Sequence, residues 1–80
     1  MENPSGGWTR IDRKIGERVQ NRRRKKDITQ AELSRKAHIG INVLSRLEHG
    51  RQTIAAERLR DIALALCTSA DYLLGISDDE

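Results

Sequence analysis

The stretch Thr29-Gln-Ala-Glu-Leu-Ser-Arg-Lys-Ala-His-Ile-Gly-Ile-Asn-Val-Leu-Ser-Arg-Leu-Glu-His-Gly50 decides how the rest of the chain is read. It opens on a capping box, in which the Thr29 hydroxyl accepts from the Glu32 amide while the Glu32 carboxylate reaches back to the Thr29 amide. Leu33 and Ala37 follow as an apolar i, i+4 pair, and His38-Ile39-Gly40 then interrupts the pattern. Val43, Leu44 and Leu47 mark a further short helix that stops at Gly50, a residue suited to the left-handed backbone of a helix end. Two helices of about eight residues joined by a three-residue break have the spacing of a helix-turn-helix, whose second helix enters the DNA major groove. Close crossing demands a small facing residue on the first helix, and Ser34 supplies it. Leu33, Ala37, Ile39, Leu44 and Leu47 are apolar where the pair must lock onto a domain, and Asn42, Ser45 and Arg46 leave a polar outer face. An ordinary helical hairpin is also apolar inside and polar outside, so the pattern alone admits both.

Outward from this centre, helical spacing continues in both directions. Ile11, Ile15 and Val19 at i, i+4, i+8 predict a helix over roughly residues 10–25. Residues 1–9, which carry the only proline, read as a flexible leader. Downstream, a loop over Arg51 to Ile54 precedes Leu59, Ile62, Ala63 and Leu66, the best amphipathic pattern in the chain. Thr68 and Ser69 can cap a last short helix with Asp71 in its first turn and Leu73 and Leu74 as its apolar part, and residues 77–80 form a polar tail. No stretch alternates at period two for long enough to make a strand. The expected fold is all-α, five helices in one domain over 10–76, with the helix-turn-helix at about 30–48.

Composition narrows the function classes. Eighty residues make one small domain with a thin core, so few apolar side chains can be spared from packing. Trp8 and Tyr72 are the only aromatics, which argues against a stacking platform for single strands and against a roomy cofactor pocket. A single cysteine, Cys67, excludes an internal disulfide and a multi-cysteine zinc site, and fits a reducing compartment. The longest apolar run, Ile62 to Cys67, is far too short for a membrane span, and the N-terminus does not read as a signal peptide. A cytoplasmic module is expected. Residues 1–51 hold 13 Lys/Arg against 6 Asp/Glu, whereas residues 52–80 hold 2 against 6. Such asymmetry suggests a polyanion on one face, although the run Arg22-Arg23-Arg24-Lys25-Lys26 also suits a solvated helix end, where cations complement the dipole.

Four blocks carry a specific resemblance: residues 29–37, Asn42 to Gly50, Leu59 to Leu66 and Ala70 to Gly75. In this order and spacing they resemble the Xre family, which includes the lambdoid phage repressors and Cro proteins, and the similarity spans roughly residues 15–76. The resemblance implies a compact five-helix, lambda-repressor-like DNA-binding domain. It places Ile41, Asn42, Ser45 and Arg46 at base edges. Asn and Arg pair bidentately with adenine and guanine, each pairing giving about 1–3 kcal/mol of discrimination, while Ile41 would offer an apolar contact to a thymine methyl. It places Gln30 on the DNA backbone, where helix N-terminal amides also attract phosphate. His49, Arg51, Arg22 and Arg23 are further candidates for phosphate. Arg23 and Glu48 match a structural ion pair of some members, the alternative for Arg23 being an outward position beside its basic neighbours.

The resemblance further implies a homodimer on a palindromic double-stranded operator, with Tyr72, Leu73, Leu74 and Ile76 as the expected interface; Leu73 and Leu74 as ordinary core is the competing reading. The chain departs from the family pattern at three helix boundaries. His38 and Cys67 stand where glycine is usual, and Gly40 replaces a Ser or Thr cap. No cofactor, metal or small-molecule effector is expected: His38 and His49 lack partners at ligand spacing, and no nucleophile-base arrangement is present. Cys67 is expected to be buried or half-buried rather than a redox sensor. A sequence-specific transcriptional repressor associated with the nucleoid is the leading expectation, and a helical protein-interaction module that kept the fold without DNA is the alternative.

Overall fold

The computed structural model describes residues 8–80, and residues 1–7, most of the expected leader, lie outside the described residues. Among the described residues five helices follow one another: α1 (Arg10–Lys25), α2 (Gln30–Ala37), α3 (Ile41–Glu48), α4 (Ala56–Ala65) and α5 (Ala70–Leu74). No strand occurs among the described residues. The spans agree with those read from sequence. α1 starts one step more firmly than expected, because Thr9 forms a capping box of its own. The Thr9 amide donates to the Asp12 carboxylate at 2.9 Å and the Asp12 amide donates to the Thr9 hydroxyl at 3.1 Å.

The core is one cluster built from all five helices and the α2–α3 turn. Val19, Leu33, Leu44, Leu47, Ile62, Leu66 and Leu73 are fully buried within it. Each such aliphatic side chain contributes about 1.5–3 kcal/mol of transfer free energy, so most of this small core sits in a handful of leucines. α1 packs on α3 and α5, while α2 packs on α4 and α3. The first expected stripe is turned slightly: Ile15 and Val19 are core, but Ile11 is 55 % exposed and Asp12 occupies the inward position. The cap explains this, since a carboxylate held by the Thr9 amide is already satisfied and can be covered. Gly16 permits a close contact between α1 and α3. A Cβ there would lie 2.2 Å from the Leu47 carbonyl oxygen, so α1 meets the end of α3 only because position 16 has no side chain.

All five helices end alike. The residue after each last turn is left-handed: Asp27, His38, Gly50, Cys67 and Gly75 have φ of 57°, 56°, 72°, 54° and 82°. The amide of the following residue then donates back to a carbonyl in the helix, as in Ile39 to Ser34 and Arg51 to Arg46. Only two of the five are glycine, the residue that adopts this backbone without strain. Cys67 is exposed, contrary to expectation, because the left-handed end of α4 lifts it out of the helix face that packs. The polar tail is held as well: Arg18 bonds Asp78 at 2.9 Å and the Ser77 carbonyl at 3.3 Å, and the Glu80 carboxylate accepts from Arg22 and Lys25.

Candidate nucleic-acid interface

α3 presents Ile41, Asn42 and Arg46 to solvent, with Ser45 half-buried beside them. Positions i, i+1, i+4 and i+5 share one helical face, so the four residues expected at base edges form a single surface. The opposite face seats the helix, because Leu44 and Leu47 are fully buried. Gly40 begins α3 in extended conformation and offers no side-chain cap; its carbonyl accepts the Leu44 amide at 2.9 Å.

Behind this surface is a buried ionic junction. The Glu48 side chain is 0 % exposed and accepts three hydrogen bonds: from Arg23 Nε at 2.7 Å, Arg23 Nη2 at 3.0 Å and Gln30 Nε2 at 3.0 Å. Arg23 Nη1 donates to the Ile28 carbonyl at 2.9 Å. The carboxylate holds the Arg23 guanidinium above its ordinary pKa, despite the opposing cost of burial. Arg23 pairs with Glu48, and its three guanidinium nitrogens are thereby engaged. It is an internal strut, which leaves little of it for the phosphate contact also expected of it. The same junction fixes Gln30 at the start of α2. One N–H of its amide is committed to Glu48, and the second is the donor left for an anion.

Arg22 lies elsewhere. Its Nε donates to the Leu66 carbonyl at 3.1 Å, its Nη2 to the Cys67 carbonyl at 3.2 Å and its Nη1 to Glu80 at 3.2 Å. It closes the end of α4 rather than standing beside α3, because one step along α1 is about 100° of rotation. His49 is exposed, and its Nδ1 lies 2.8 Å from the Ser45 carbonyl; that partner makes Nδ1 the protonated nitrogen and leaves Nε2 outward. Arg51 is exposed in the turn after α3, with its own amide donating to the Arg46 carbonyl at 2.8 Å.

Of the four residues expected at a dimer interface, two are core. Leu73 is 0 % exposed, and Tyr72 is 5 % exposed with the Arg18 guanidinium 4.3 Å from its ring centroid. α5 is a single short helix whose inward side faces α1 and α4, so adjacent apolar residues cannot all point outward. Leu74 is half-buried and Ile76 is 73 % exposed, and Leu64, not anticipated from sequence, is 69 % exposed on α4. Gln52 was also missed. Its Oε1 accepts from Arg46 Nε at 3.2 Å and its Nε2 donates to the Thr53 carbonyl at 3.0 Å. No local spacing rule marks a contact between a helix residue and the loop beyond a left-handed turn. Among the described residues no three His, Cys, Asp or Glu side chains gather as a metal site, and no helix is long and apolar enough to cross a membrane.

The sequence pattern of the Helix-turn-helix family matches residues 19–73. A curated relative, an uncharacterized transcriptional regulator in the ATPase CF(0) region of Rhodospirillum rubrum, is 37 % identical over 62 residues. That alignment covers 78 % of this chain and 57 % of the relative, so the chain spans a little over half of the relative's length. Among solved structures, the P22 c2 repressor in complex with a synthetic operator is similar at 34 % identity and a TM-score of 0.70, covering 74 % of this chain and 89 % of that one. The clp gene regulator ClgR of Corynebacterium glutamicum is similar at 27 % identity and a TM-score of 0.78, covering 82 % of this chain and 70 % of that one.

Proposed function

This chain belongs to the Xre-type helix-turn-helix family, and from that premise we propose that it is a sequence-specific repressor that reads the major groove of double-stranded DNA with α3. The observation that carries the reading is the outer face of α3. Asn42 and Arg46 stand exposed on one side of a helix whose other side is locked by leucines and by the Glu48 junction. Rigid presentation of an amide and a guanidinium is what bidentate recognition of adenine and guanine requires. Ile41 adds an apolar contact at the helix start, and Ser45 supports from its half-buried place.

Phosphate contacts fall to Gln30, His49 and Arg51, which lie at the first turn of α2 and just beyond α3. One such module reads only a few base pairs. Two copies on a palindrome, with half-sites about 34 Å apart, give useful affinity, and Leu74 and Ile76 provide apolar surface for a second copy. The protein acts as a binding protein with no catalytic role, in the cytoplasm and on the nucleoid.

Selection of binding sites from random duplex DNA tests this reading, repeated with Arg46→Ala and with affinity followed against salt. A palindromic site whose preference relaxes at one base pair in the variant is the expected result. Binding that is salt-sensitive but indifferent to sequence would leave only electrostatic attraction and remove the base-reading roles. Absence of binding would favour a protein-interaction module on the same fold.

A further inference from the structure

The left-handed turn at Gly50 reverses the chain just beyond α3. The Gly50 amide donates to the Leu47 carbonyl at 2.9 Å and the Arg51 amide to the Arg46 carbonyl at 2.8 Å, which closes the helix end twice over. The chain therefore leaves α3 beside Arg46 itself. Gln52, half-buried and lining a pocket of about 220 Å³ together with Ile39, Val43, Leu47, Ile54 and Arg58, comes to rest against the Arg46 side chain. Its amide orientation is set from the other end, because Nε2 donates to the Thr53 carbonyl and so Oε1 must face Arg46 Nε.

We propose that Gln52 is a positioning residue for base readout, holding the Arg46 guanidinium by Nε so that its two terminal nitrogens face the groove as a ready-made fork. The proposal rests on the DNA-reading role of α3. Bidentate recognition of guanine needs two parallel N–H groups, and the terminal pair of an arginine supplies them when Nε is occupied elsewhere. A long exposed side chain otherwise loses rotamer freedom when it binds, and an internal partner present before binding reduces that loss. Gln52 carries no charge and is not offered as a phosphate contact. Its effect is on selectivity at one base pair.

The test is competition binding on the selected operator and on three versions altered at the base pair whose preference Arg46→Ala relaxes. Gln52→Ala is expected to reduce discrimination there by about three- to tenfold, the size of one side chain's immobilisation. Thermal melting and the slope of affinity against salt stay at wild-type values. In an Arg46→Ala background the same change adds nothing. A Gln52→Ala variant that discriminates like wild type overturns the role of Gln52 alone. So does one that loses affinity equally for every sequence, or loses as much in the Arg46→Ala background, since a direct contact to the DNA backbone or a structural role would behave that way. Wild-type protein with no sequence preference overturns the reading of α3 and this role with it.

Discussion

Arg22 and Arg23 are neighbours in one basic run, yet they serve two different regions of the molecule. Arg23 turns toward α3 and meets a carboxylate that is completely covered, with the Gln30 amide as a third member. Arg22 turns toward the end of α4 and the tail, where the Glu80 carboxylate keeps a quarter of its surface in water. The chemistry is the same and the energetics are not. A covered pair has lost its hydration and depends on its partners, whereas a pair at the surface keeps part of its hydration and is screened by salt. The first junction ties α1, α2 and α3 together; the second ties α1 to the C-terminal end. Charge in the sequence therefore locates neither role. Angular position on α1 does.

The sharpest way to break this comparison is to remove each carboxylate in turn. Glu48→Ala leaves the Arg23 guanidinium, whose side chain is only 12 % exposed, without its counter-ion and frees the Gln30 amide. A loss of about 3–5 kcal/mol is expected, measured from the denaturant midpoint at constant slope. Glu80→Ala should shift the same midpoint far less. Equal effects would mean that burial does not separate the two regions. Gly16→Ala strikes the junction from behind, because the new Cβ meets the Leu47 carbonyl where α1 crosses the end of α3. About 3 kcal/mol is expected for overpacking against backbone, with the position of α3 disturbed along with the stability.

Helix ends carry the comparison further and show what the sequence made legible. The capping box at Thr29 and Glu32, the break at residues 38–40 and the stop at Gly50 are all local signals, and they placed α2 and α3 correctly. Thr9 and Asp12 have the same signature, but it follows closely on Pro4, Gly6 and Gly7, which read as a leader. Spacing alone puts Ile11 inward, because it does not reveal which face of α1 a capped aspartate claims. Gln52 and the tail were illegible for a different reason. Their partners, Arg46, Arg18 and Arg22, come near only through the folded path of the chain. Departures at His38 and Cys67 were visible, and the structure supplies their cause: both hold left-handed backbone without being glycine. His38 lies in the turn between α2 and α3, and Cys67 lies beside the Arg22 anchor, its carbonyl accepting from Arg22 Nη2. His38→Gly and Cys67→Gly should each stabilise the domain by about 1 kcal/mol, raising Tm by roughly 4–8 °C. His38→Gly should do so without altering the preferred DNA sequence.

The smallest effect separates two surface carboxylates that share a direction of pKa shift but not its cause. Glu32 is held below the usual carboxylate range chiefly by the Thr29 amide, which donates to it at 2.9 Å, and then by the Thr29 hydroxyl. Glu80 is held below that range chiefly by hydrogen bonding to Lys25, with Arg22 adding to it. In both cases the folded-state value is the lower one, so the stabilisation is fully present above the unfolded-state pKa and is lost as pH falls through the folded-state pKa. Carboxyl chemical shifts followed against pH in the folded and urea-unfolded chain read both directly. Raising salt to about 1 M shortens the screening length to roughly 3 Å, which weakens ion pairs far more than a hydrogen bond to a backbone amide. The Glu80 midpoint should then rise toward its unfolded value while that of Glu32 stays nearly where it was. If both moved together, the cap of α2 would be acting as a screened charge, and the distinction between a helix end closed by geometry and a tail held by charge would fail.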